Sequence, residues 1–259
     1  MNYRTFESSL WTKINEVIAL ANVSASPKFA AFDADGTLWD TDIGENFFEF
    51  QIKNRLVPLP PNPWEHYFEL KKKGGDPREA YLWLAQINEG RRLEEVQSWA
   101  TEALSAISEI PYFREQKKLI SLLHENDFQV FVVTASVAWA VEPAASLFNI
   151  PRENVIGVRT NVSAGLVTTE AVQPITYREG KAEALLKATK GMRPWICSGN
   201  SIGDIELLKT AQGLALAVGS VGNESRLYSS EKFLRDFVQE RTQSGDELWA
   251  YHAFVSGAL

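Results

Sequence analysis

Short apolar runs rich in β-branched and aromatic residues alternate along this chain with stretches of helical spacing, and that alternation restricts its fold more than any other feature. The apolar runs lie at residues 29–32, 129–134, 155–159, 172–175, 195–198 and 214–218. Apolar residues recur at helical spacing over 115–125, 139–148, 181–189 and 205–210. Strands separated by helices need crossover connections, which makes the sheet mostly parallel. The expected fold class is therefore α/β, with a doubly wound, Rossmann-like sheet flanked by helices. Ligands of such sheets bind beyond the carboxyl ends of the strands. Leu10, Ile14, Val17 and Ala21 predict an amphipathic first helix, and residues 161–169, with Ser163-Ala164-Gly165, predict a turn between two antiparallel strands.

One stretch breaks the pattern. Residues 41–113 carry no strand signal, and their helical patterns are interrupted by Pro58-Leu59-Pro60-Pro61-Asn62-Pro63 and by Gly74-Gly75-Asp76-Pro77. No crossover needs some 70 residues, so the expectation is a helical cap at 41–113 inserted into a core made of 1–40 and 114–259. Trp39, Trp64, Trp83 and Trp99 fall within or beside it.

Charge and cysteine content narrow the function classes. The net charge of −7 leaves no electrostatic footprint for nucleic acid. No apolar stretch approaches the roughly 20 residues that span a bilayer, so no membrane partner is expected. The single cysteine, Cys197, excludes an internal disulfide and fits a reducing, cytoplasmic setting.

Four strand ends carry candidate chemistry. Asp33-Ala34-Asp35-Gly36-Thr37 follows the first run, so two carboxylates leave the strand toward one small site. A carboxylate there can attack phosphorus and a second can carry protons, although Asp and Gly also favour plain turns. Thr134-Ala135-Ser136 ends the second run before a helix, where a hydroxyl and backbone N–H groups can bind an anion or simply cap the helix. Gly180-Lys181-Ala182 places a cation at a helix start, against the helix dipole; a nearby phosphate would explain it, and so would plain exposure. Gly199-Asn200-Ser201-Ile202-Gly203-Asp204 ends the strand run at 195–198 and offers Asp204 to a metal or to Lys181, or as a first-turn helix acid.

In this order the four segments resemble the haloacid dehalogenase-like superfamily, most closely its phosphoserine phosphatase-like branch with a helical cap between the first and second motifs. The likeness covers nearly the whole chain. It implies a phosphatase acting on a small-molecule phosphate ester, with Asp33 as nucleophile and Asp35 as general acid and base. Thr134, the Ala135 N–H and Lys181 would hold the phosphoryl oxygens. Mg²⁺ would be held by the Asp33 carboxylate, the Asp35 carbonyl and the segment containing Asn200 and Asp204. Asn200 departs from the family, which usually has Asp there, and a neutral ligand would weaken the metal. A catalytically weak phosphate-binding relative is therefore the competing class.

Residues 199–203 also fit the G-x-S-x-G elbow of serine hydrolases, with Ser201 followed by Asp236 or Asp246 and by His252. Only 58 residues follow Ser201, and that reading leaves Asp33 and Asp35 unexplained. Gly180-Lys181 is no Walker loop, since Ile175 and Ala182 occupy its glycine and hydroxyl positions. His66, His124 and His252 lack metal-ligand spacing. In the cap, Asp42 stands where phosphoserine phosphatases carry an acid that meets the substrate ammonium. With Glu45 it would favour an amine-bearing ester such as phosphoserine, phosphoethanolamine or phosphocholine, although Asp42-Ile43-Gly44-Glu45 reads equally as a capping box. Trp39, Phe47, Phe48 or Trp64 could add cation–π contact to a quaternary amine, or form the subdomain's core.

Overall fold

A computed structural model describes residues 3–222, 225 and 228–255. The strands are β1 (Phe29–Phe32), β2 (Gln129–Val137), β3 (Val155–Val158), β4 (Thr160–Ser163), β5 (Leu166–Ala171), β6 (Ile196–Gly199), β7 (Leu214–Gly219) and β8 (Trp249–Ala253). Six of them form one sheet in the order β3-β2-β1-β6-β7-β8, and β4 pairs with β5. The chain groups into two compact units, one drawn from Met1–Thr41, Ile110–Val133 and Arg178–Leu259, the other from Asp42–Glu109 and Thr134–Tyr177.

In the first unit β1 runs parallel to β2 and β6, β6 to β7, and β7 to β8. Phe29-Ala30-Ala31-Phe32 is buried at every position, as a strand covered on both faces requires. Phe32 lies level with Val132 of β2 and Ser198 of β6, so the segments after these strands leave the sheet along the same edge. Successive strands lead outward on one side of β1 and then, from β6, on the other. Strand order therefore reverses at β1 and β6, where such sheets bind ligands. Helices α1 (Ser8–Val23), α6 (Arg114–Glu125), α8 (Glu179–Ala188), α9 (Ile205–Leu208) and α10 (Tyr228–Gln243) complete this unit. The first helix buries Leu10, Ile14, Val17 and Ala21, the stripe its spacing predicts, with Ile18 added.

The second unit holds α2 (Ile43–Asn54), α3 (Pro63–Lys72), α4 (Arg78–Gln86), α5 (Leu93–Ser105) and α7 (Ala138–Ser146), with β3, the end of β2 and the β4–β5 pair. One apolar cluster draws on both of its segments, joining Phe48, Tyr67 and Val96 to Trp139, Val158 and Val167. That shared core is why residues 134–177 group with 42–109. The β4–β5 turn places Ala164 and Gly165 at φ +49° and +80°, the left-handed pair a tight hairpin needs. The strand expected at 172–175 does not form. β5 ends at Ala171, and Pro174 has no N–H to give to a ladder.

Candidate active site

The core of the site is a buried ion triad on three elements of the first unit. Lys181, in the first turn of α8, reaches Asp33 Oδ1 at 2.5 Å and Asp204 Oδ1 at 2.6 Å. All three side chains are buried, with Asp204 at 0 % exposure. A cation in the first turn of a helix is poorly placed for the dipole, and the two carboxylates account for it. Breaking such a pair would leave an uncompensated buried charge at a cost of about 3–5 kcal/mol. Burial, then the nearby charge of Asp204, pushes the Asp33 carboxyl up to about 7, with Lys181 pulling the other way. Burial works against the Lys181 ammonium, but the charges and hydrogen bonds of Asp204 and Asp33 outweigh it and hold the group above its ordinary value.

Each carboxylate is fixed by its surroundings. The Asp33 N–H donates to Ser198 O at 2.9 Å, continuing the β1–β6 pairing past the end of β1. Asp204 Oδ2 accepts from the backbone N–H groups of Asn200 (3.1 Å) and Ser201 (2.9 Å) and from Ser201 Oγ (2.9 Å). Gly199 permits that loop, because a Cβ there would stand 2.5 Å from the Asp204 Cβ. Thr37 Oγ1 lies 3.3 Å from both Asp33 Oδ2 and Asn200 Oδ1, so two oxygens turn toward one hydroxyl. Asp35 Oδ1 accepts from the buried Trp39 indole at 2.7 Å.

The structure thus brings together Asp33, Lys181, Asn200 and Asp204. Thr134 and Ala135 belong to the second unit, on β2 directly after Val133. Thr134 is buried there, its hydroxyl accepting from Ser136 N (3.0 Å) and its carbonyl from Thr176 Oγ1 (2.5 Å). Asp42 Oδ1 accepts from Glu45 N at 2.7 Å as the N-cap of α2, and Glu45 pairs with Lys71 Nζ at 3.0 Å. Lys71 in turn lies over the Tyr67 ring, 4.8 Å from its centroid.

One expectation is corrected. The serine-hydrolase constellation is not assembled: Ser201 Oγ is bonded to Asp204, whereas His252 Nε2 faces Arg4 O at 3.3 Å between the rings of Phe6 and Phe254. Of the aromatics that could contact a quaternary amine, Trp39, Phe47 and Phe48 are buried, and Trp64 is half-buried with its indole donating to Glu49 Oε2 at 2.6 Å. Sequence reasoning missed Glu231 of α10. Its carboxylate accepts from Asn200 Nδ2 (2.9 Å), Ser220 Oγ (2.5 Å) and the N–H groups of Ser220 (2.9 Å) and Val221 (3.1 Å).

The haloacid dehalogenase-like hydrolase family model matches residues 30–209, from β1 to the end of α9, and the chain belongs to that family. Among curated proteins, the phosphorylcholine phosphatase of Pseudomonas aeruginosa is 24% identical over 209 residues, which are 65% of this chain and 59% of that protein. The chain thus spans about three fifths of the length of that curated relative. A conserved protein of unknown function from Anaerococcus prevotii DSM 20548 shares the fold at a TM-score of 0.72 and 18% identity, over 98% of this chain and 96% of that one. A phosphoserine phosphatase bearing a phospho-aspartyl intermediate analogue shares it at 0.51 and 16% identity, over 85% and 99%. Among the described residues no helix is long and apolar enough to cross a membrane.

Proposed function

We propose that this chain is a phosphatase that cleaves a small-molecule phosphate monoester through an aspartyl-phosphate on Asp33. One observation carries the reading: a buried ammonium, Lys181, clasped by two carboxylates at the ligand-binding edge of a parallel sheet, with a third carboxylate, Asp35, two residues from the first. The carboxylates outnumber the cation, so the site as built calls for further positive charge.

In this reading Asp33 attacks phosphorus and the bond to the leaving oxygen breaks while Asp35 gives that oxygen a proton. Asp35 then takes a proton from water, which attacks the acyl phosphate, releases inorganic phosphate and restores the Asp33 carboxylate. The Trp39 indole sets the direction of the Asp35 carboxyl. Lys181, the Thr134 hydroxyl and the Ala135 N–H receive the phosphoryl oxygens, stabilising the charge that develops on them.

The donor set suits Mg²⁺. Among the described residues no group of three or more His, Cys, Asp and Glu has metal-ligand spacing. In this reading the ion would be held instead by a carboxylate (Asp33), an amide carbonyl (Asn200) and the Asp35 backbone carbonyl, with Asp204 alongside. Such an all-oxygen, partly neutral set fits a hard ion that keeps several waters. When bound, Mg²⁺ supplies positive charge to the phosphoryl oxygens.

For the substrate we favour an amine-bearing ester such as phosphocholine, phosphoethanolamine or phosphoserine, because the related Pseudomonas aeruginosa protein is a phosphorylcholine phosphatase. Asp42 and Glu45 are the acids proposed to meet the amine, alongside the roles they already fill in α2. The first test is release of p-nitrophenol from p-nitrophenyl phosphate, with and without Mg²⁺. Metal-dependent turnover that falls at least about a thousandfold in Asp33→Asn is expected. Equal turnover in that variant would overturn Asp33 as the nucleophile, whereas no turnover in the wild type, with this ester or with any of the three amine-bearing esters, would favour a phosphate-binding relative.

A further inference from the structure

We infer that Glu231 is a positioning residue that clamps the Asn200 side-chain amide in one orientation, so that Oδ1 rather than Nδ2 faces the Thr37 hydroxyl that Asp33 shares. The metal-ligating part of this inference rests on the phosphatase reading above; the clamp itself does not.

An amide can sit either way round, and its hydrogen-bond partners decide which. Here Nδ2 points at Glu231 Oε1 at 2.9 Å, while Oδ1 faces Thr37 Oγ1 at 3.3 Å. Turned over, the amide would set its carbonyl oxygen against a carboxylate, acceptor on acceptor, in a buried place. Glu231 is itself held by Ser220 Oγ and by the N–H groups of Ser220 and Val221, just past β7, so the carboxylate cannot follow a flipped amide. The same nitrogen also packs on Gly36, where a Cβ would stand 2.1 Å from Nδ2 and 3.2 Å from Ser220 Oγ. The Asn200 amide nitrogen is therefore held against a bare backbone and a fixed acid, which leaves Oδ1 on the Thr37 hydroxyl.

The same contact explains why an amide, and not an acid, occupies position 200. The substitution Asn200→Asp would put a carboxylate oxygen about where Nδ2 now lies, 2.9 Å from the Glu231 carboxylate. The negative charge is instead carried one contact further out, on Glu231, and still acts on the site through the amide. Asn200→Asp alone is thus no repair of a weakened site. It requires Glu231 to lose its charge at the same time.

Two measurements test the pair in the intact chain. In ¹⁵N-resolved NMR the Asn200 side-chain NH₂ of the wild type should be shifted downfield and protected from exchange, and Glu231→Gln should lose both signatures while its Tm stays within a few degrees. Binding of Mn²⁺, followed by its EPR signal, should weaken about 10- to 100-fold in Glu231→Gln, the range seen when a partner of a metal ligand is removed. Asn200→Asp should also bind Mn²⁺ more weakly than wild type, and Asn200→Asp/Glu231→Gln should recover most of the loss. An unprotected Asn200 amide in the wild type overturns the clamp, as does Asn200→Asp binding Mn²⁺ more tightly with Glu231 intact. A protected amide that Glu231→Gln abolishes, in a wild-type protein that binds no Mn²⁺, upholds the clamp and counts against the phosphatase reading.

Discussion

A β-carbon on Gly36 would enter the Asn200 amide at 2.1 Å and approach Ser220 Oγ at 3.2 Å, on a backbone whose φ of +79° already disfavours any side chain. Both effects act at once in Gly36→Ala. The strained backbone costs on the order of 1–3 kcal/mol, and the displaced amide carries Oδ1 away from Thr37. Gly36→Ala should therefore lower stability by about that amount in urea titration and cut Mg²⁺-dependent turnover by at least about tenfold. Unchanged turnover would mean that the Asn200 amide has no part in the reaction. At this scale the sequence was informative where a residue stands just past a strand, as Asp33 and Asp204 do, or opens a helix, as Lys181 does. Those settings made them candidates, and packing alone could show that Lys181 touches both acids. Glu231 was illegible, because its contact with Asn200 joins residues 31 apart and nothing in the α10 sequence marks one acid among several.

Among the elements, β1, β2, β6 and β7 were readable because strands covered on both faces carry near-continuous apolar runs. β8 was not. Trp249-Ala-Tyr-His-Ala253 is half-buried at its second and third positions and carries a histidine at its fourth, so it lacks the continuous apolar run that marked the others. The opposite error occurred at 172–175, where β-branched residues suggested a strand that Pro174 cannot sustain. His252 gives β8 a measurable consequence. Its ring is packed edge-on against Phe6 and Phe254, and burial first of all holds its pKa below the ordinary value, the Arg4 carbonyl pulling the other way. A histidine more basic when unfolded binds its proton preferentially there, so its contribution is complete above about pH 6.5. That contribution is lost as pH falls below this value toward the folded pKa. The His252 contribution to unfolding free energy should thus decline between pH 7.5 and 5, so the stability difference between wild type and His252→Gln should shift against the wild type as pH falls through that window. Parallel pH profiles for the two proteins would show that His252 does not couple β8 to pH.

For the whole molecule, residues 41–113 stood out as strandless helical sequence, yet periodicity could not show which other segment shares their core. Their apolar side chains gather with those of Trp139, Val158 and Val167, long-range partners that no local pattern specifies. The chain passes between the two units four times, at 41/42, 109/110, 133/134 and 177/178. Each unit nevertheless buries its own apolar cluster, which makes separate opening possible. Phe48 tests this, since it is fully buried in the second unit and packs against Trp64, Trp83 and Tyr67 at centroid distances of 4.9, 5.4 and 5.9 Å. Removing its ring should cost about 3–5 kcal/mol. If the second unit opens as a unit, hydrogen exchange in Phe48→Ala should quicken across residues 42–109 and 134–177. Amides of β1, β6 and β7, which answer to the first unit's core, should keep wild-type protection. Loss of protection at the same rate in both groups would show instead that the four crossings tie the units into one cooperative structure.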